Sequence, residues 1–306
     1  MNQIKNLNTN KIFAANPALE AASYMVAAGA AFALVNIAVQ AVTMRFGVSS
    51  TSVAFWQYFV AMLCGLPWIV RTGLGVLKTH HPGAHVLRVV LAAVGVQFWV
   101  AGLATVPIWQ AIALIMTSPF FVTLGAGLFL RETVGPSRWA ATAAGFAGGM
   151  IILAPWSDAF TPATLLPVAA AIFWAATSLM TKRLTRFDSS QTITLYMLVL
   201  LTPINGLLAV SSDGIVVAGT LAFGLIVGAG LLTILAQFLI VRAYATADAA
   251  YVQPFDHLKL PLNVLAGWIV FGFVPDGNLW VGSALIVAAS IYIAHRESRP
   301  LIAKTA

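Results

Sequence analysis

Apolar residues run in long blocks along this chain, and short polar clusters separate them. The blocks do not alternate as barrel strands do, and each is close to the roughly 20 residues an α-helix needs to cross a bilayer. Ten are read, at 18–44, 50–70, 86–105, 110–130, 136–154, 162–182, 190–210, 217–242, 250–272 and 278–295. Helix breakers mark the cuts. Arg45-Phe46-Gly47 closes the first block and His80-His81-Pro82-Gly83 separates the second from the third. Val106-Pro107 divides the third from the fourth, and Pro275-Asp276-Gly277 makes a turn before the last. The connections are too short to hold a soluble domain. The expected fold class is an all-α polytopic membrane protein with ten transmembrane helices.

A shift of the chain against itself by 141 residues aligns polar and bulky positions. Phe32 meets Phe173, Arg45-Phe46 meets Arg186-Phe187, Ser49 meets Ser190, Ala104-Thr105 meets Ala245-Thr246, and Trp139 meets Trp280. The shift spans five helices. An odd number makes the halves insert with opposite orientation, so the expected domains are two inverted five-helix repeats, 18–157 and 158–296. Residues 1–17 and 297–306 are expected as cytoplasmic tails. Inverted repeats characterise secondary transporters, whose sites lie near the membrane midplane between the halves.

Composition removes most other classes. Of 306 residues only 8% are charged and 60% are hydrophobic, against about 25% charged in a soluble domain. Soluble enzymes, nucleic-acid binders and disordered chains are excluded, and the lipid bilayer is the expected solvent. The net charge of +7 does not form one basic patch. With the N-terminus placed inside, fourteen of the sixteen Lys and Arg fall in cytoplasmic segments; Arg45 falls outside and Lys259 within a span. That asymmetry predicts a bacterial inner membrane protein with both termini cytoplasmic. The first block is too long for a signal peptide and has no cleavage signal. The lone Cys64 allows no internal disulfide. His80, His81 and His85 are expected in a solvated loop. No P-loop, G-x-S-x-G or H-E-x-x-H motif is present, so neither a cofactor nor a resident metal is expected, and no nucleic acid partner.

Polar residues inside spans mark a pathway or join helices. On the first span Gly29, Phe32, Asn36, Gln40 and Thr43 share one face; on the sixth, Trp174, Thr177, Ser178 and Thr181 do. The repeat shift places Asn36 on Thr177 and Gln40 on Thr181. Two related polar stripes are what a cavity between halves requires, and hydrogen-bonded helix packing is the alternative. Gln57, Gln97, Trp99 and Trp109 are further lining candidates. The densest cluster is in the ninth span, with Gln253, Asp256, His257, Lys259 and Asn263. Asp256 and Lys259 are either a self-neutralising pair or a substrate contact. The pairs Gly145/Gly149 and Gly224/Gly228 are read as helix-packing sites.

Residues 117–153, with a mid-helix proline at Pro119, small residues, Glu132 closing the helix and a glycine-rich helix after it, resemble the EamA type of the drug/metabolite transporter superfamily. Residues 258–293 look like a second copy, in which Phe273 stands at the place of the glutamate. The resemblance implies a secondary transporter and not an enzyme, and is strongest to bacterial exporters of aromatic amino acids. The expected activity is therefore export of aromatic and other neutral amino acids by alternating access. An intramembrane enzyme using the ninth-span cluster and a channel are the rival readings. The absent hydrolase motifs weigh against the first, and the absent rings of charge against the second.

Overall fold

The computed structural model describes residues 17–105, 114–115, 117–153, 162–212, 214–216, 219–272 and 278–298. Among these there is no strand. The helices are α1 (Pro17–Phe46), α2 (Ser50–Thr72), α3 (Pro82–Thr105), α4 (Ser118–Phe129), α5 (Pro136–Leu153), α6 (Leu165–Leu184), α7 (Ser190–Ser211), α8 (Thr220–Thr246), α9 (Ala249–Asp256), α10 (Lys259–Phe271) and α11 (Asn278–Ser298). Among the described residues each apolar block contains a helix; the fourth is described as one only over Ser118–Phe129, and the ninth holds two. Among the described residues six spans are long and apolar enough to cross a membrane: Pro17–Thr43, Thr51–Arg71, Pro82–Trp99, Leu165–Leu184, Ser190–Ser211 and Thr220–Thr246. Ser118–Phe129 and Trp280–Ile293 are apolar but shorter.

The helix starts follow local chemistry. Pro17, Pro82 and Pro136 open α1, α3 and α5, where the missing N–H removes a donor that lacks a partner anyway. The Ser49 hydroxyl accepts from the Ser52 amide to cap α2, and Ser189 does the same for α7 through Thr192. Gly272 ends α10 with φ 69° and ψ 17°, a left-handed conformation that glycine adopts without a Cβ clash.

The ninth block departs from one continuous helix. It divides into α9 and α10 at a turn through His257 and Leu258. Pro261 has no N–H to offer the His257 carbonyl four residues earlier. The backbone tightens instead: the Leu260 amide donates to His257 O at 3.1 Å and the Leu258 amide to Phe255 O at 3.1 Å.

The most extensive helix pairings are α1 with α8, α5 with α11, α3 with α6, and α2 with α7. The α1–α10 contact is matched in extent by that of α4 with α6. Shifting by 141 residues carries α1–α8 onto α6–α3 and α10–α1 onto α4–α6. It pairs α2 with α7 and α5 with α11.

The glycine expectation needs correction. A β-carbon at Gly145 would lie 2.9 Å from His257 Nδ1, and one at Gly148 would lie 2.7 Å from Gly282 O. Gly145 is thus a site of close packing, as expected, and at Gly148 the backbone of α11 comes near. Gly224 and Gly228 meet nothing within 4 Å; they face open space and pack no helix.

Candidate functional site

The polar stripe of α1 lies against α10. A β-carbon at Gly29 would lie 3.4 Å from Lys259 Cβ, and two turns further on Asn36 Nδ2 donates to Asn263 Oδ1 at 2.8 Å. Asn263 Nδ2 in turn donates to Lys259 O at 2.6 Å. Lys259 Nζ donates to Asp256 Oδ2 at 2.6 Å, with the two side chains 32% and 18% exposed. The pair spans the α9–α10 turn and is part-solvated, so much of its attraction is screened. The structure thus brings Asn36, Asn263, Lys259 and Asp256 into one seam. The Gln40 side chain lies outside the described residues.

An aromatic group stands on the neighbouring side of α10. The rings of Trp99 on α3 and Trp174 on α6 lie 5.9 Å apart, and Phe98 stacks on Phe173 at 5.5 Å. Trp99 and Trp174 are half-buried and pack on a cluster that holds Leu260 and Val264 of α10. The Trp174 indole fits because Gly95 has no side chain: a β-carbon there would lie 2.6 Å from Cδ1 of the ring. Gln97 is exposed on α3. Thr177 donates to Phe173 O at 3.0 Å along its own helix. Trp109 lies outside the described residues.

Three predicted residues sit elsewhere. Gln57 is buried, and its Nε2 donates to Thr233 Oγ1 at 2.8 Å, tying α2 to α8. Gln253 is buried and donates to the Tyr244 hydroxyl. His257 is fully buried against Gly145 of α5, away from the seam that holds Lys259.

One end of the bundle carries a set of charges that sequence patterns did not resolve. Glu132, just past α4, accepts from the Ala249 amide on one carboxylate oxygen and from the Ala250 amide on the other, both at 3.1 Å. These are the first two helical N–H groups of α9. Asp248, at the N-cap, does not cap its own helix; it accepts from Arg138 Nη1 at 2.9 Å. Lys182 Nζ donates to Tyr244 O at 2.8 Å and Ala247 O at 2.6 Å, the last carbonyls of α8. Negative charge at a helix start and positive charge at a helix end each contribute about 0.3–1 kcal/mol, and up to about 2 when partly buried. At the start of α1, Glu20 accepts from the Tyr24 hydroxyl at 2.6 Å and lies 3.7 Å from Arg242.

The histidine expectation is also corrected. His85 is fully buried; its Nε2 lies 3.0 Å from Asp188 Oδ2 and its ring stacks on Tyr196 at 4.2 Å. Thr79 Oγ1 donates to the same Asp188 oxygen at 2.8 Å. Arg88, one turn further on, is also buried, and donates to Thr181 Oγ1 at 2.7 Å and Ile193 O at 2.9 Å. The carboxylate that holds His85 lies 103 residues away, which no local pattern announces. Among the described residues no cluster of three or more potential metal ligands occurs.

Apolar helices enclosing a few polar and aromatic side chains, with charges gathered at one end, describe a membrane transport protein. The chain belongs to the EamA-like transporter family, whose model matches it twice, at residues 20–154 and 161–294. It is 59% identical to a riboflavin transporter of Rhizobium johnstonii, over 92% of this chain and 93% of that one. A riboflavin transporter of Vibrio cholerae is 52% identical, over 92% and 95%. An S-adenosylmethionine uptake transporter of Rickettsia conorii is 28% identical, over 82% and 85%. A solved crystal structure shares the fold, with TM-score 0.77, 17% identity, and coverage of 94% of this chain and 98% of its own. This is a multi-pass, small-molecule transporter of the drug/metabolite superfamily, not an enzyme. These relatives do not support the amino acid export expected from the sequence.

Proposed function

We propose that this protein carries riboflavin across the bacterial cytoplasmic membrane. The observation that carries the reading is the 59% identity, over nearly the full length of both chains, to a riboflavin transporter. At that similarity the helices and most of their side chains correspond. The site chemistry agrees. Isoalloxazine is a planar, fused aromatic ring with a polar edge, and the aromatic group around Trp99 and Trp174 beside the amides Asn36 and Asn263 offers stacking and hydrogen bonds. An amino acid would be held through its charged ends; the one charged pair at this site, Lys259 and Asp256, is engaged with itself.

The transport cycle in this reading is alternating access between two inverted five-helix halves, with ten crossings and both termini cytoplasmic. The mapping of helix pairs under the 141-residue shift and the positive-inside distribution support it.

Reconstitution into liposomes tests the proposal. Riboflavin flux should be saturable and should show counterflow, with tryptophan, phenylalanine and S-adenosylmethionine moving at the rate of empty vesicles. An arm with an imposed proton gradient reads the driving force. Flux of an amino acid without flux of riboflavin would overturn the reading, and non-saturable flux without counterflow would indicate a channel.

A further inference from the structure

The Asn36–Asn263 contact differs from the buried amide contact of Gln57 between helices. Gln57 and Thr233 are sealed in, at 8% and 0% exposure, as a bond that only joins helices would be. Asn36 is exposed, yet it is bonded to Asn263 on another helix, and the two residues come from different halves of the chain. A carboxamide has two donor hydrogens and an acceptor oxygen with two lone pairs. A bond between two such groups at an accessible place can be exchanged for bonds to a ligand with no donor or acceptor left unmet.

The neighbourhood narrows what that ligand is. At 100° per residue, Lys259 and Asn263 share one face of α10, while Leu260 and Val264 lie about 100° further round. Leu260 and Val264 pack with Trp99 and Trp174. One helix therefore turns an amide to one side and an aromatic-backed strip to the adjoining side. One turn before Asn263, Lys259 and Asp256 neutralise each other. The place suits a flat, uncharged ring that has a hydrogen-bonding edge. The pyrimidinedione edge of isoalloxazine has an N3–H between two carbonyls, an acceptor–donor–acceptor row. A carboxamide, with donor and acceptor side by side, matches two members of that row.

Resting on the riboflavin reading above, we propose that Asn36 and Asn263 are the specificity-determining pair, exchanging their mutual hydrogen bond for bonds to the N3–H and flanking carbonyls of the flavin. The empty carrier holds α1 and α10 together through the amides. The flavin edge inserts between them, and substrate binding thereby loosens one contact between the halves. Among the described residues the cation beside the two amides, Lys259, is taken by Asp256, which favours riboflavin over its phosphate ester with its two negative charges.

The test compares riboflavin with N3-methylriboflavin, in which a methyl group replaces the edge N–H hydrogen, in liposomes bearing wild type, Asn263→Leu or Asn36→Ala. Wild type should prefer riboflavin by about tenfold or more, since a site built to bond a polar group rejects the analogue without it. In each variant that preference should fall to about one. Both flavins are measured on the same preparation, so a partly folded variant lowers both rates and leaves the ratio readable. If the variants slow both flavins equally and keep the wild-type ratio, the pair is a structural latch and the inference fails. It fails too if wild type transports both flavins equally. If wild type transports no flavin, the riboflavin reading itself fails, and this inference with it.

Discussion

Glu132 and Lys182 cap the two helix ends that meet at Ala247–Asp248: Lys182 holds the last carbonyls of α8 and Glu132 the first amides of α9. The two side chains come from α6 and the end of α4. A chain reversal is thus fixed by groups outside it, and Arg138 takes the Asp248 carboxylate that would otherwise cap locally. This gives the family's glutamate a definite task in the first repeat.

Glu132→Gln should lower the melting temperature of the detergent-purified protein and cut transport. A glutamine can accept one of the two amide bonds but turns an N–H toward the other, and it loses the negative charge at the helix start. The expected loss is about 1–2 kcal/mol. Glu132→Asp, a methylene shorter, should reach only one amide and fall between. A wild-type melting curve for Glu132→Gln would remove the capping role.

Asp188→Asn should reduce folded yield more sharply. His85 has no exposure and bonds that carboxylate, and losing a buried hydrogen bond to a charged group costs about 1.5–3 kcal/mol. Thr79→Val removes a single hydroxyl bond to the same oxygen and should cost about 1 kcal/mol. Size-exclusion profiles and thermal melts of the two variants side by side check the ranking; equal losses would contradict it.

Gln57→Leu separates joining helices from lining a path. Its amide is taken by Thr233, so the variant should lose about 1 kcal/mol of stability and leave the half-saturation concentration for riboflavin unchanged. A shift of about fivefold or more in half-saturation would place Gln57 in contact with substrate.

Trp174→Ala should raise half-saturation for riboflavin by about two- to tenfold, the loss expected for one aromatic stacking partner of about 0.5–1.5 kcal/mol. Trp174→Phe should restore most of it. Quenching of tryptophan fluorescence on riboflavin addition should weaken in Trp99→Phe. If both alanine and phenylalanine variants behave as wild type, the aromatic pair is core packing.

The helices were legible from the chain because apolar length sets a membrane helix, and among the described residues each block contains at least one. The break at His257 was only half visible. Pro254 and Pro261 were plain in the sequence, but the tightened turn depends on which amide takes over each carbonyl. The α1 stripe was readable from helical spacing, and Asn36 does meet a polar partner. The partner, Asn263, is 227 residues away, and periodicity on one helix does not say which helix it faces. Gln57 illustrates the converse: a lone amide in a span looks the same whether it faces water or a threonine. Substrate identity lay beyond such patterns, because tryptophans and amides serve an amino acid's side chain as readily as a flavin.

The charges are unevenly shared between the two ends of the bundle. Among the described residues, the ion pairs Arg138–Asp248 and Arg242–Glu20 and the His85–Asp188 hydrogen bond lie at one end. The far end is joined by Ser52 with Gly214, Trp56 with Val216 and Arg45 with Val270, each a side chain on a backbone carbonyl. The pairs at the first end join opposite charges, an attraction that dissolved salt weakens. In the proposed alternating-access cycle the two half-reactions then differ in their response to ionic strength, and the forward and backward maximal velocities need not be equal. Microscopic reversibility then requires the half-saturation constants on the two sides to differ in the same proportion, so that without an energy source the ratio of substrate concentrations still settles at one.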